Sequence, residues 1–223
     1  MRGLSSFLEQ MVACVRTLAH RNEVASEAAP ASPSAANMPA LGIVNLLIGA
    51  RGSPQAPQRG YRPSSLADIS RAASHLWQQW QATSATALET YPQAGISMDA
   101  LSRDERDERA EVLLRALLTA AKADGHIDKD EQARIDIALN DMTLDEDILH
   151  FLKAELKRPF DIDAVVAAAA DALTALEIYV ASVVVIDDAN DVERDYLARL
   201  AALLRLPSSI IDGLPDLPDL ASA

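Results

Sequence analysis

Ala110, Leu113, Leu114, Leu117, Leu118 and Ala121 stand at offsets 0, 3, 4, 7, 8 and 11, which lines one face of an α-helix with apolar side chains. The stripe runs into an acidic turn, Asp124-Gly-His-Ile-Asp-Lys-Asp-Glu131, and a second stripe (Ile135, Leu139, Met142) resumes beyond it. A helix apolar on one face must bury that face against another element. This helix–turn–helix pattern therefore sets the fold class, because everything after it repeats the same periodicity.

Thr143 and Glu146 are spaced as a capping box ahead of Ile148, Leu149, Leu152 and Leu156, and Arg158-Pro159 closes that helix. Asp161 or Asp163 opens an Ala-rich helix with Val165, Val166 and Ala169. Leu173, Leu176, Val180, Val183 and Val184 again keep helical offsets. The tail Val183–Ile186 has a strand-like composition, but no partner strand stands nearby, so it reads as helix. Asn190 opens a helix through Tyr196, Leu197, Leu200, Leu203 and Leu204, ended by Leu206-Pro207-Ser208, and Pro207 to Leu214 forms one short last helix. The expectation is an all-α bundle of about seven helices over residues 99–214, with a frayed tail at 215–223. Composition agrees: apolar residues make up 49% of the chain but aromatics only 4%, so the core is built from Ala, Leu, Val and Ile, which suit packed helices better than a β-sandwich.

Residues 1–98 read differently. Leu4, Phe7, Leu8, Met11, Val12, Val15 and Leu18 predict an amphipathic helix over 4–20, and Leu66, Ile69, Ala73, Leu76, Trp77 and Trp80 predict another over 65–82. Residues 22–39 and 51–64 are rich in Pro, Ala, Ser, Gly and Gln and read as linkers. Between them Ala40–Ala50 is apolar but only eleven residues long, too short to cross a bilayer unaided, which takes about 20 residues. Trp77 and Trp80 share one helical face; packing onto the main domain or another protein explains them better than a lipid boundary. Arg103–Arg109 mixes both charge signs and reads as a solvated face.

Charge narrows the function classes. Residues 1–98 carry a net +2 and residues 99–223 a net −15. The second half repels nucleic acid and anionic lipid and attracts cations, so no nucleic-acid partner is expected. The single cysteine, Cys14, allows neither an intramolecular disulfide nor a Cys-rich zinc site. Glu9 and Gln10 interrupt the first apolar pattern, which argues against a signal peptide.

The acidic turns carry the chemistry. Asp128-x-x-Glu131 and Asn190-x-x-Glu193 both fit a helix-capping box, and Gly125 suits the left-handed end of the preceding helix. The same residues offer hard oxygens: Asp124, His126, Asp128 and Glu131 in the first turn, Asp187 and Glu193 in the second. Calcium and magnesium take oxygen ligands, whereas zinc wants more His or Cys. An EF-hand is excluded, because position six counted from Asp124 is Lys129 and position twelve is Ile135. Two readings stay open: caps alone, or caps that also hold a divalent cation (calcium or magnesium). No nucleophile motif, phosphate loop or H-E-x-x-H accompanies His126, so no catalytic residue is assigned and an enzyme is not expected.

Leu114-Arg-Ala-Leu-Leu-Thr-Ala-Ala-Lys-Ala-Asp-Gly-His-Ile-Asp-Lys-Asp-Glu131 closely resembles the core motif of the YebE-type family, which carries a domain of unknown function and is related to the TerB-like tellurite-resistance domains. Leu176-Glu-Ile-Tyr-Val-Ala-Ser-Val-Val-Val-Ile-Asp187 and Glu193-Arg-Asp-Tyr-Leu197 look like its second motif. The resemblance covers about residues 100–214. It implies a TerB-like helical fold and a bacterial protein associated with the inner membrane. It also implies that Asp124, Asp128, Glu131, Asp187 and Glu193 are where acidic side chains meet metal ions. The expected function is a non-enzymatic interaction module in the cytoplasm, at or near the inner membrane. It would bind a protein partner or a second copy of itself, with membrane contact through residues 4–50 and 65–82. The alternative is a divalent-cation-binding protein of metal or tellurite stress.

Overall fold

The structure, a computed structural model, describes residues 5, 7, 8, 66–123, 146–186, 191–212 and 214. The described residues form helices and no strands: α1 (Leu66–Thr83), α2 (Ala87–Thr90), α3 (Arg103–Ala121), α4 (Glu146–Lys157), α5 (Ile162–Ala167), α6 (Ala172–Val185), α7 (Asp191–Leu203) and α8 (Ser208–Asp212), with a 3₁₀ turn at Met98–Ala100. The all-α bundle expected from periodicity is what forms.

Helix α6 is the axis of the fold. Every residue from Ala172 to Ser182 is buried, so α6 is covered all round rather than on one stripe, as its near-continuous run of Ala, Leu, Ile and Val demands. Helices α1 and α3 make the most extensive packing against it. A single apolar cluster joins Leu76 and Trp80 of α1, Leu113 and Leu117 of α3, Leu152 of α4, Leu176 and Val180 of α6 and Leu200 of α7. Truncating one such leucine to alanine costs roughly 2–5 kcal/mol, because the site collapses only in part.

Local chemistry sets each boundary. Ser102 caps α3 in a full capping box: its hydroxyl accepts from the Glu105 amide and the Glu105 carboxylate accepts from the Ser102 amide. Asp161 caps α5 through the Ala164 amide, and Asp171 caps α6 through the Thr174 amide and hydroxyl, both at 2.8 Å. The C-terminus of α4 is closed by Lys122, whose Nζ donates to the carbonyls of Glu155 and Arg158, each at 2.8 Å. Helix α7 ends in a pair of bonds, Leu206 N–H to Ala201 O and Arg205 N–H to Ala202 O, with Arg205 in the left-handed region at φ 52°. That is a Schellman motif with arginine where glycine is usual.

The tryptophans settle into the core. Trp77 and Trp80 meet edge to face at 5.6 Å, and Trp80 meets Tyr91 in the same manner at 6.1 Å. The Tyr91 hydroxyl donates to Leu204 O at 3.0 Å, tying the end of α2 to the end of α7. The apolar face of α1 is therefore spent on the bundle, the packing reading of these two residues. One expectation needs correcting. The run Arg103–Arg109 is not uniformly solvated: Asp107 lies one turn before Ala110 on the buried face, and Arg109 turns inward. A charge run read by composition cannot show that two of its members share the helix face that is covered.

Candidate functional site

Of the candidate ligands in the acidic turns, Asp124, His126, Asp128, Glu131 and Asp187 lie outside the described residues. Glu193 is described, and it sits in the first turn of α7, buried. Among the described residues no group of three or more His, Cys, Asp or Glu side chains is placed to hold a metal ion.

What the structure does bring together is a charged group at the core. Glu177 lies midway along α6 with 0% exposure. Its Oε2 accepts from Arg109 Nη1 of α3 at 2.6 Å, and Arg109 Nη2 stands 3.6 Å from the Asp171 cap carboxylate. One guanidinium thus reads the N-terminus of α6 and its middle at once, which suits the planar fork of arginine. Glu177 Oε1 receives no hydrogen bond among the described residues. Burial pushes the Glu177 carboxyl above its ordinary value, and Arg109 and the neighbouring Ser70 hydroxyl draw it only partly back. Ser70, buried on α1, accepts from the Met98 amide at 3.0 Å, so α1, α3, α6 and the 98–100 turn converge on this carboxylate.

Gly95 completes the surroundings. Its φ is +89°, and a Cβ there would stand 2.0 Å from Asp171 Oδ1. The carbonyls of Gln93 and Ala94 accept from the first two amides of α6, Ala172 and Leu173. The 93–95 strip and Asp171 together satisfy a helix start that would otherwise leave buried donors unpaired.

A second charged group lies between α3 and α4. Arg115 donates to both oxygens of Glu155, at 3.2 and 3.0 Å, and to Glu111 at 3.1 Å. Arg158 reaches the same Glu155 at 3.1 Å. Contact with Glu155 raises the pKa of Arg115 further, while burial lowers that of Lys122. Asp147, His150 and Phe151 join Glu111, Arg115, Glu155 and Arg158 around a cleft of about 450 Å³.

The third feature is apolar. Tyr179, Val180, Val183 and Val184 of α6, Leu197 and Ala198 of α7, and Ile211 and Leu214 line a cleft of about 450 Å³ together with Arg194 and Asp212. Val183 and Val184 are half-buried and Ala198 is exposed.

Sequence reasoning passed over Glu177 and Arg109. The signal was present: Leu173–Ile186 holds one charged residue in an otherwise apolar helix, and a lone buried carboxylate requires a cation from another helix.

The chain is 32% identical over 108 residues to "Uncharacterized protein in ampR 5'region" of Yersinia enterocolitica, an alignment that covers 48% of this chain and 78% of that protein. No solved structure matches it. A family model described as "Protein of unknown function (DUF533)" matches residues 34–216, which takes in every helix from α1 to α8, and the chain belongs to that family.

Proposed function

We propose that this chain is a non-catalytic helical module that binds a partner protein at the apolar cleft between α6, α7 and α8. The cleft carries the reading. It sets half-buried valines beside an exposed alanine, and apolar pockets with a few polar groups in their lining are where partner side chains gain most by leaving water. The charged groups point the same way. Arg109 with Glu177 and Arg115 with Glu155 are engaged with each other, the arrangement of groups that hold helices together. The family resemblance in the sequence supports a place at or near the bacterial inner membrane. No helix among the described residues is long and apolar enough to cross a membrane. With α1, Phe7 and Leu8 packed in the core, residues 9–50 are what is left of the expected membrane contact.

The competing reading, a divalent-cation-binding protein of metal or tellurite stress, rests on the carboxylates of the two acidic turns. Partner capture by the full chain and by Val184→Glu tests the proposal. A partner held by the parent and lost from the variant supports it; the same partner held equally by both refutes the cleft reading. Calorimetric titration of both proteins with calcium and magnesium tests the other reading, which fails if neither ion binds below millimolar.

A further inference from the structure

Leu214 is 7% exposed and lines the cleft between α6, α7 and α8. The sequence that continues from it reads Pro215-Asp-Leu-Pro-Asp-Leu220, so Leu214, Leu217 and Leu220 recur at every third position. A period of three is neither that of a helix nor that of a strand. It matches polyproline II, in which the three leucines share one edge and Asp216 and Asp219 share another. Proline fixes φ in advance, so such a segment loses less freedom on docking than an ordinary one. Leu217 lies at most about 11 Å from Leu214, and Leu220 at most about 22 Å. Both leucines are therefore within reach of a cleft whose lining already includes the first of the series. Charge sets a direction: Arg194 and Asp212 both line the cleft, and the two aspartates of the repeat are drawn to the first and repelled by the second.

On the reading that this cleft receives a partner protein, we propose that residues 215–220 of the same chain fold back over it and occupy it until the partner displaces them. A tail of this composition frays when it has nothing to pack on; beside an apolar cleft its two leucines have a place to leave water. What they gain there is close to what ordering a short segment costs, so the tail is held weakly and exchanges readily. A tail seated about four-fifths of the time leaves the cleft open for the rest, and a competing ligand then binds about fivefold more weakly than it would to the open cleft. The repeat thus sets a threshold that a partner has to exceed.

The test uses the purified full chain with a photo-reactive residue at position 198, which lines the cleft and is exposed, and with light and heavy copies mixed. The expected adducts join position 198 to residues 215–220 of the same copy and are lost from Leu217→Ser with Leu220→Ser. Adducts that never fall on residues 215–220, that only bridge copies, or that the double substitution leaves unchanged overturn the proposal. The regulatory part is read with the uncharged apolar dye Nile red. The chain carrying Leu217→Ser and Leu220→Ser is expected to bind it about fivefold more tightly than the parent, and Val184→Glu in that background removes the gain. Equal binding by parent and double variant, or a gain that survives Val184→Glu, overturns the proposal. Both readouts are made without a partner, so the tail can fail while partner capture at the cleft succeeds, and capture can fail while the tail is found seated.

Discussion

Arg109→Leu removes the only cation the described structure brings to the Glu177 carboxylate. At neutral pH the carboxylate then sits in the core with no cation beside it, no hydrogen bond on Oε1 and only the Ser70 hydroxyl left as a neighbouring donor. Breaking one side of a buried pair costs about 3–5 kcal/mol, and Glu177, at 0% exposure, has no solvent to soften it. In a chain of this size that corresponds to a fall in Tm of roughly 6–20 °C. The pH dependence follows from the direction of the shift. Glu177 titrates above its ordinary 4.5 in the folded chain, so its contribution is fully present below that value and declines as pH rises through the folded pKa. Without Arg109 the folded pKa moves higher still, and the decline extends to higher pH. Denaturant titrations of parent and Arg109→Leu from acid to neutral pH should therefore show a gap that is smallest in acid and widens toward neutrality. Arg109→Leu with Glu177→Leu should recover most of the loss, since an apolar pair of similar volume replaces a desolvated ionic one. A gap that does not change with pH, and a double variant no more stable than Arg109→Leu, would refute the reasoning.

Other perturbations address other parts of the structure. Gly95→Ala places a Cβ on the Asp171 cap at a positive φ, and adding the conformational cost to loss of the cap predicts destabilisation by about 2–3 kcal/mol, read from denaturant midpoints. Tyr196 is buried and its hydroxyl is pushed up to about 12. Its contribution is complete below pH 10 and is lost as pH rises toward 12, a span worth about 3 kcal/mol. Tyr196→Phe should accordingly unfold at higher pH than the parent in an alkaline titration followed by circular dichroism. Arg205→Gly relaxes the one non-glycine residue with positive φ among those described and should raise stability by up to about 1 kcal/mol.

The fold was legible because each helix buries a stripe of ordinary width. Residues 65–82 were expected as helix and 66–83 form one; Asp161 was one of two caps proposed for α5 and is the cap found; α6 continues through the valines to Val185. The charged contacts were not legible, for a physical reason. Asp107 and Arg109 stand in a run whose composition favours solvent, and only the partner helix decides which members turn inward. Asp107 meets Ser5 and Arg109 meets Glu177 across 102 and 68 positions, separations that no local periodicity encodes. Of the candidate ligands in the two acidic turns only Glu193 falls among the described residues, buried in the first turn of α7, while its expected capping partner Asn190 lies outside them.

The central claim is that the apolar cleft of α6, α7 and α8 receives a partner protein, and photo-cross-linking in the native host tests it most directly. A photo-reactive residue at Ala198, exposed at the cleft, is compared with one at Asp163, exposed on α5 and not among the residues that line it. The account predicts one discrete adduct with another protein from position 198, absent from position 163 and abolished by Val184→Glu. Adducts of equal yield from both positions, or none from position 198, would contradict it.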